Sequence, residues 1–92
     1  MEHRDEPIMF PDEIAEEFRN RCEEFGSIVT LEDEHSAKPF RLINIRQRPG
    51  TPELIFQSLE DGRILREMEL PNLAYDTLEA GGHVYANGYM IA

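Results

Sequence analysis

The chain has 92 residues, enough for one small domain, and about 40% of them are apolar. Nineteen Asp and Glu against nine Lys and Arg give a net charge of -10, which excludes non-specific attraction to DNA or to anionic lipid. The single cysteine excludes an internal disulfide framework and a multi-cysteine zinc site, and no apolar run reaches bilayer-spanning length.

Residues 1 to 10 read as a flexible arm, charged and without periodicity, with Ile8, Met9 and Phe10 as an apolar lead-in to a single domain over 11 to 92. The arm lacks the basic and then apolar regions of a signal peptide, which predicts a cytoplasmic protein. A helix is predicted over 12 to 25. Asp12 is placed to cap it, Glu13, Glu16 and Glu17 suit the positive end of its dipole, and Gly26 suits a left-handed stop. Ile14, Phe18, Cys22 and Phe25 recur at spacings of four, four and three, so they share one face.

Strands follow. Ser27 to Leu31 is short and β-branched, and Phe40 to Ile45 is the second. Arg46-Gln47-Arg48-Pro49-Gly50-Thr51-Pro52 breaks the pattern. Glu53 to Leu59 and Arg63 to Leu70 flank Glu60-Asp61-Gly62, a hairpin signal because glycine takes positive φ freely. Pro71 ends that strand, and 72 to 79 is a helical turn or a loop. His83 to Ile91 is the last strand. One helix followed by five short strands, without βαβ alternation, predicts a mainly β domain: a helix on a small, strongly bent antiparallel barrel, with an open α+β sheet as the alternative. Ile14, Phe18, Val29, Leu42, Leu54, Phe56, Ile64 and Met68 are the predicted core.

Charge is segregated along the chain. Residues 1 to 36 carry -9, residues 37 to 52 carry +4 with no acid, and residues 53 to 92 carry -5. Arg46 and Arg48 stand in the loop of this basic island. Arginine suits bidentate phosphate contact and stacking on bases, so the two either contact an anion such as RNA or neutralise the acidic surface. Tyr85 and Tyr89 offer stacking surfaces or an interface between subunits, with Asn87-Gly88 between them. His3, His35 and His83 are far apart and have no ligand-spaced neighbours, so no metal site is expected. Cys22, on the apolar face of the helix, reads as a buried thiol. No catalytic signature and no cofactor motif stands out.

The order of elements resembles the Sm-like (LSm) superfamily, in which an N-terminal helix precedes five bent strands and members assemble into RNA-binding rings. Val84-Tyr85-Ala86-Asn87-Gly88-Tyr89-Met90-Ile91 is similar to the second motif of that family, with Asn87 where its usual Arg stands. The resemblance implies a non-catalytic homo-oligomer that binds single-stranded RNA; residues 37 to 52 are the local positive surface for phosphate, which assigns Arg46 and Arg48 to phosphate contact, and Asn87 is assigned to a base edge. A second resemblance is to the Rho-binding antiterminator family, acidic Sm-like barrels that bind a protein. Ile64 to Leu70 followed by Asn72-Leu73 is similar to the last strand and turn of that family. It implies an acidic protein-binding adaptor, whose contacts are expected on the Glu13, Glu16 and Glu17 face.

Overall fold

The computed structural model describes residues 9–92; the predicted arm lies outside the described residues up to residue 8. The first helix, α1, spans Pro11–Arg21. It starts earlier than the predicted Asp12 cap because Pro11 can occupy the first helical position, where a missing N–H costs nothing. Phe10 is the cap residue. Its N–H donates to Glu13 Oε1 at 3.0 Å, and its carbonyl accepts the Glu13 N–H at 2.9 Å. The helix also ends earlier than predicted. Cys22 caps it, and Phe25 is 67% exposed rather than on the buried face. Gly26, at φ 88°, stands in the turn leading to the sheet rather than at the helix stop.

Six strands follow: β1 Ile28–Glu32, β2 Ala37–Arg46, β3 Glu53–Ser58, β4 Ile64–Arg66, β5 His83–Ala86 and β6 Tyr89–Met90. They form one antiparallel sheet in the order β4-β3-β2-β1-β5-β6. The sheet is open: among the described residues β4 and β6 are its two edges and do not pair with each other. The expected mainly β composition and antiparallel pairing are observed, but the expected closed barrel is not: the sheet is open, as in the alternative architecture, and has six strands rather than five and two helices rather than one.

Two differences from the predicted elements have identifiable causes. The predicted strand over 63 to 70 contributes only β4, and a second helix, α2, spans Glu69–Glu79. Leu70, Ala74 and Leu78 recur every fourth residue and are all buried, which is a helical period. Pro71 lies in the first turn of this helix, where it is tolerated, and does not end a strand. Ile64 pairs with Gln57 on the sheet face away from the helices, and Met68 follows the point where the chain leaves the sheet after Arg66, so both, predicted to be core, are half exposed, while Leu65 and Leu70 are buried. In the second case, the predicted strand over 83 to 91 is a hairpin. Asn87 at φ 51° and Gly88 at φ 85° form a two-residue turn between β5 and β6. Positive φ at both central residues matches the twist of the flanking strands, and Asn-Gly is the favoured pair for it.

Both helices lie on one face of the sheet. Ile14 and Phe18 of α1, Leu70 and Ala74 of α2, and Val29, Leu42, Leu54 and Phe56 of the strands form a continuous core. The rings of Phe18 and Phe56 meet edge to face, with centroids 6.2 Å apart. Truncating such a buried aromatic costs about 3–5 kcal/mol, a large part of the stability of a small domain. Phe10, just before α1, stacks on Tyr75 of α2 at 6.0 Å. Cys22 is buried, and burial raises its thiol pKa to about 11, so it is an inert packing group.

Candidate functional site

Side chains alternate between the faces of a strand, and residues directly opposite in an antiparallel ladder share a face. Val29, Phe40, Leu42, Leu54, Phe56 and Leu65 point to the helices. The register therefore assigns Arg41, Gln57 and Ile64 to the opposite face in one row, and Asn44, Ile55 and Arg66 in the next. The register slips between Leu42 and Asn44, which leaves Ile43 as the extra residue of a bulge. No described helix covers this face. Ile55, between Asn44 and Arg66, is 7% exposed even so, while Ile43 and Ile64 are 39% and 50% exposed. An aliphatic patch thus lies on the open face.

Arginines border it. Glu53, paired with Arg46 across the ladder, sits at the end of the same face. Arg66 grips its carboxylate with two donors, Nε to Oε2 at 3.0 Å and Nη2 to Oε1 at 3.4 Å. Arg48 Nη1 donates to Oε1 at 3.1 Å, and Arg46 Nη1 lies 3.9 Å away. Three guanidinium groups therefore meet one carboxylate, leaving a local surplus of positive charge in a chain of net charge -10. The hydrogen-bonded Arg66, reinforced by the charges of Arg48 and Arg46, holds the Glu53 carboxyl below its ordinary range. The same pairing raises the Arg66 pKa. Each guanidinium offers five donors, far more than one carboxylate can accept, and all three are about half exposed.

Next to this cluster, Glu67 is buried where β4 passes into α2. Its Oε1 accepts the Leu54 N–H at 2.9 Å, and its Oε2 pairs with Arg19 of α1. Glu67 thus ties helix to sheet, and the carboxylates at this end are both held in ion pairs. Among the described residues no group of three His, Cys, Asp or Glu side chains is placed to hold a metal ion, and no helix is long and apolar enough to cross a membrane.

The residues singled out from the sequence do not converge on one site. Arg46 and Arg48 are together at the Glu53 end. Asn87 lies elsewhere: its Oδ1 accepts the Ile28 N–H at 2.9 Å, and Ile28 is paired with Arg41, five residues short of Arg46 on β2. Five residues of strand span about 17 Å. The Asn87 Nδ2 donates to the Arg21 carbonyl at 2.8 Å and to Ser27 Oγ at 3.3 Å. Its amide is therefore occupied in joining the end of α1 to the start of β1. Tyr85 and Tyr89 are on opposite faces of the β5–β6 hairpin. The Tyr85 hydroxyl donates to Glu32 Oε1, and burial together with that carboxylate raises its pKa. Tyr89 is exposed, with the Arg21 guanidinium 5.5 Å above its ring. The sequence reading missed Ile43, Ile64 and Arg66 as surface residues. The alternation Ile64-Leu65-Arg66 carried the signal, since period 2 puts Ile64 and Arg66 together and away from buried Leu65.

The domain is a two-layer α+β fold with one sheet face open and bordered by arginine. Comparison with family models, with curated proteins and with solved structures finds no match for this chain.

Proposed function

We propose that this chain is a non-catalytic adaptor that binds a partner protein on the open face of its sheet. The observation that supports this reading most is the composition of that face. Its centre is aliphatic, formed by Ile43, Ile55 and Ile64, and its border is Arg41, Arg46, Arg48 and Arg66. An apolar centre with an arginine rim suits protein contact. Binding of single-stranded RNA uses aromatic rings for base stacking beside a cationic track. The two tyrosines proposed for stacking lie on the β5–β6 hairpin, away from Arg46 and Arg48 and on opposite faces of the sheet, and the Asn87 amide already donates to the Arg21 carbonyl and to Ser27 Oγ. Of the two family resemblances, the Rho-binding antiterminator implies a protein partner, although its contacts were expected on α1 and the open sheet face is the better-suited surface.

The test compares wild type with an Ile43→Asp/Ile64→Asp double variant as affinity baits in cell extract, with and without ribonuclease. The expected result is a protein captured by wild type, insensitive to ribonuclease and lost with the variant, whose far-ultraviolet circular dichroism is unchanged. Labelled oligo-U is titrated in parallel and is expected not to bind. Ribonuclease-sensitive capture, or oligo-U binding that an Arg46→Ala/Arg48→Ala variant loses, would overturn the proposal in favour of an RNA-binding module.

A further inference from the structure

The two edges of the open sheet are finished differently. At β4, the Ser58 N–H donates to the Arg63 carbonyl at 2.8 Å. Bonded pairs alternate along an antiparallel ladder, so the Ile55–Arg66 pair falls between bonded pairs and the Arg66 N–H points away from β3. The Glu69 carboxylate accepts that outward N–H at 2.8 Å. Arg63 and Arg66 bracket the strand with charges of one sign. With its charges, and with the cap on one of its two outward N–H groups, this edge is protected against pairing.

The β6 edge is as short, two residues against three, but lacks the charges and the cap. Ala86 pairs with Tyr89, Tyr85 pairs with Met90, and the Ile91 N–H donates to the Val84 carbonyl at 2.9 Å. Tyr85–Met90 is therefore the pair between bonded pairs, and the Met90 N–H and carbonyl point away from β5. No described side chain accepts that N–H. Tyr89 and Met90 carry no charge and are 66% and 58% exposed.

We infer that β6 pairs antiparallel with β6 of a second copy, joining two sheets edge to edge about a twofold axis beside Met90. The edge is its own complement: each Met90 N–H meets the Met90 carbonyl of the other copy, so one twofold satisfies both. In that register Tyr89 of one copy lies opposite Ile91 of the other, an aromatic and β-branched cross-strand pair. The hairpin tips then point in opposite directions, which keeps the two Arg21 guanidinium groups apart. A twofold through the open sheet face would instead set two arginine-bordered surfaces against each other. The edge thus suits self-association, and the face remains free for a different partner.

The test is sedimentation velocity of the full chain from low to high micromolar concentration, with amide exchange at Met90 and Arg66. Wild type is expected to sediment as a dimer at high concentration and Met90→Lys as a monomer. The Met90 amide is expected to exchange more slowly as concentration rises, with no change at Arg66. A wild type that remains monomeric at high micromolar concentration would overturn the inference. So would a dimer that persists in Met90→Lys, or Met90 exchange that does not respond to concentration. The exchange measurement uses wild type alone, so it decides the matter even where the variant does not fold.

Discussion

Gly82, between α2 and β5, tests how closely the helix end and the sheet are packed. A β-carbon built on it would stand 2.3 Å from the Glu32 carbonyl oxygen, 2.7 Å from Thr77 Cγ2 and 3.1 Å from the Thr77 carbonyl oxygen. Ordinary carbon–oxygen contacts begin at about 3.3 Å, so relief needs a movement of about 1 Å. Glu32 cannot yield readily, because it is paired with Ala37 on one side and His83 on the other. Overpacking of this kind costs about 1–3 kcal/mol, and contact with fixed backbone puts Gly82→Ala near about 3 kcal/mol. At about 1.5 kcal/mol per molar urea, the unfolding midpoint should fall by about 2 M. Gly81→Ala is the control. Gly81 has φ 88° and nothing within 4 Å of its built β-carbon, so an alanine there meets backbone strain only, about 1–2 kcal/mol. Urea unfolding followed by circular dichroism compares the three proteins. A Gly82→Ala midpoint equal to that of wild type, or a larger loss in Gly81→Ala, would refute the packing argument.

Asn87→Ala removes an amide that joins Arg21, Ser27 and Ile28 and places alanine at φ 51°; a loss of about 2–4 kcal/mol is expected in the same assay. Asn87→Gly relieves the strain without restoring the bonds and should recover part of that loss; equal stability of Asn87→Ala and wild type would count against the role given to this side chain. Glu53 titrates below its ordinary range in the fold, so its contribution is complete above about pH 4.3 and is lost as pH falls through the lowered folded value. The difference in melting temperature between wild type and Glu53→Gln should therefore be present at neutral pH and close on acidification, whereas a difference independent of pH would contradict the ion-pair account.

Much of the fold is determined by short-range pattern. The face of α1 follows from Ile14 and Phe18 four residues apart, and the β3–β4 hairpin follows from Asp61-Gly62 between apolar runs. Both depend on local geometry, namely the helical period and the freedom of glycine at positive φ. The core strands that hold Val29, Leu42, Leu54 and Phe56 were legible as short apolar and β-branched runs bounded by turn residues. Other features were present in the sequence but could be read in two ways. Asn87-Gly88 fits both a family motif and a hairpin turn, and Leu70, Ala74 and Leu78 fit a helix running through Pro71, which also fits the end of a strand.

The candidate surface needed the tertiary structure. Glu53 and Arg66 are thirteen residues apart, and only the β3–β4 register brings their side chains within 3.0 Å. The bulge at Ile43 and the pairing of Ile64 with Gln57 decide that Ile43 and Ile64 face solvent, since a shift of one residue moves a side chain to the other face of a sheet. Arg46 and Arg48 were visible as charges, but their carboxylate partner and their distance from Asn87 were not. Charge and local propensity are properties of the residues themselves, whereas which residues share a face is decided by strand pairing across the whole chain.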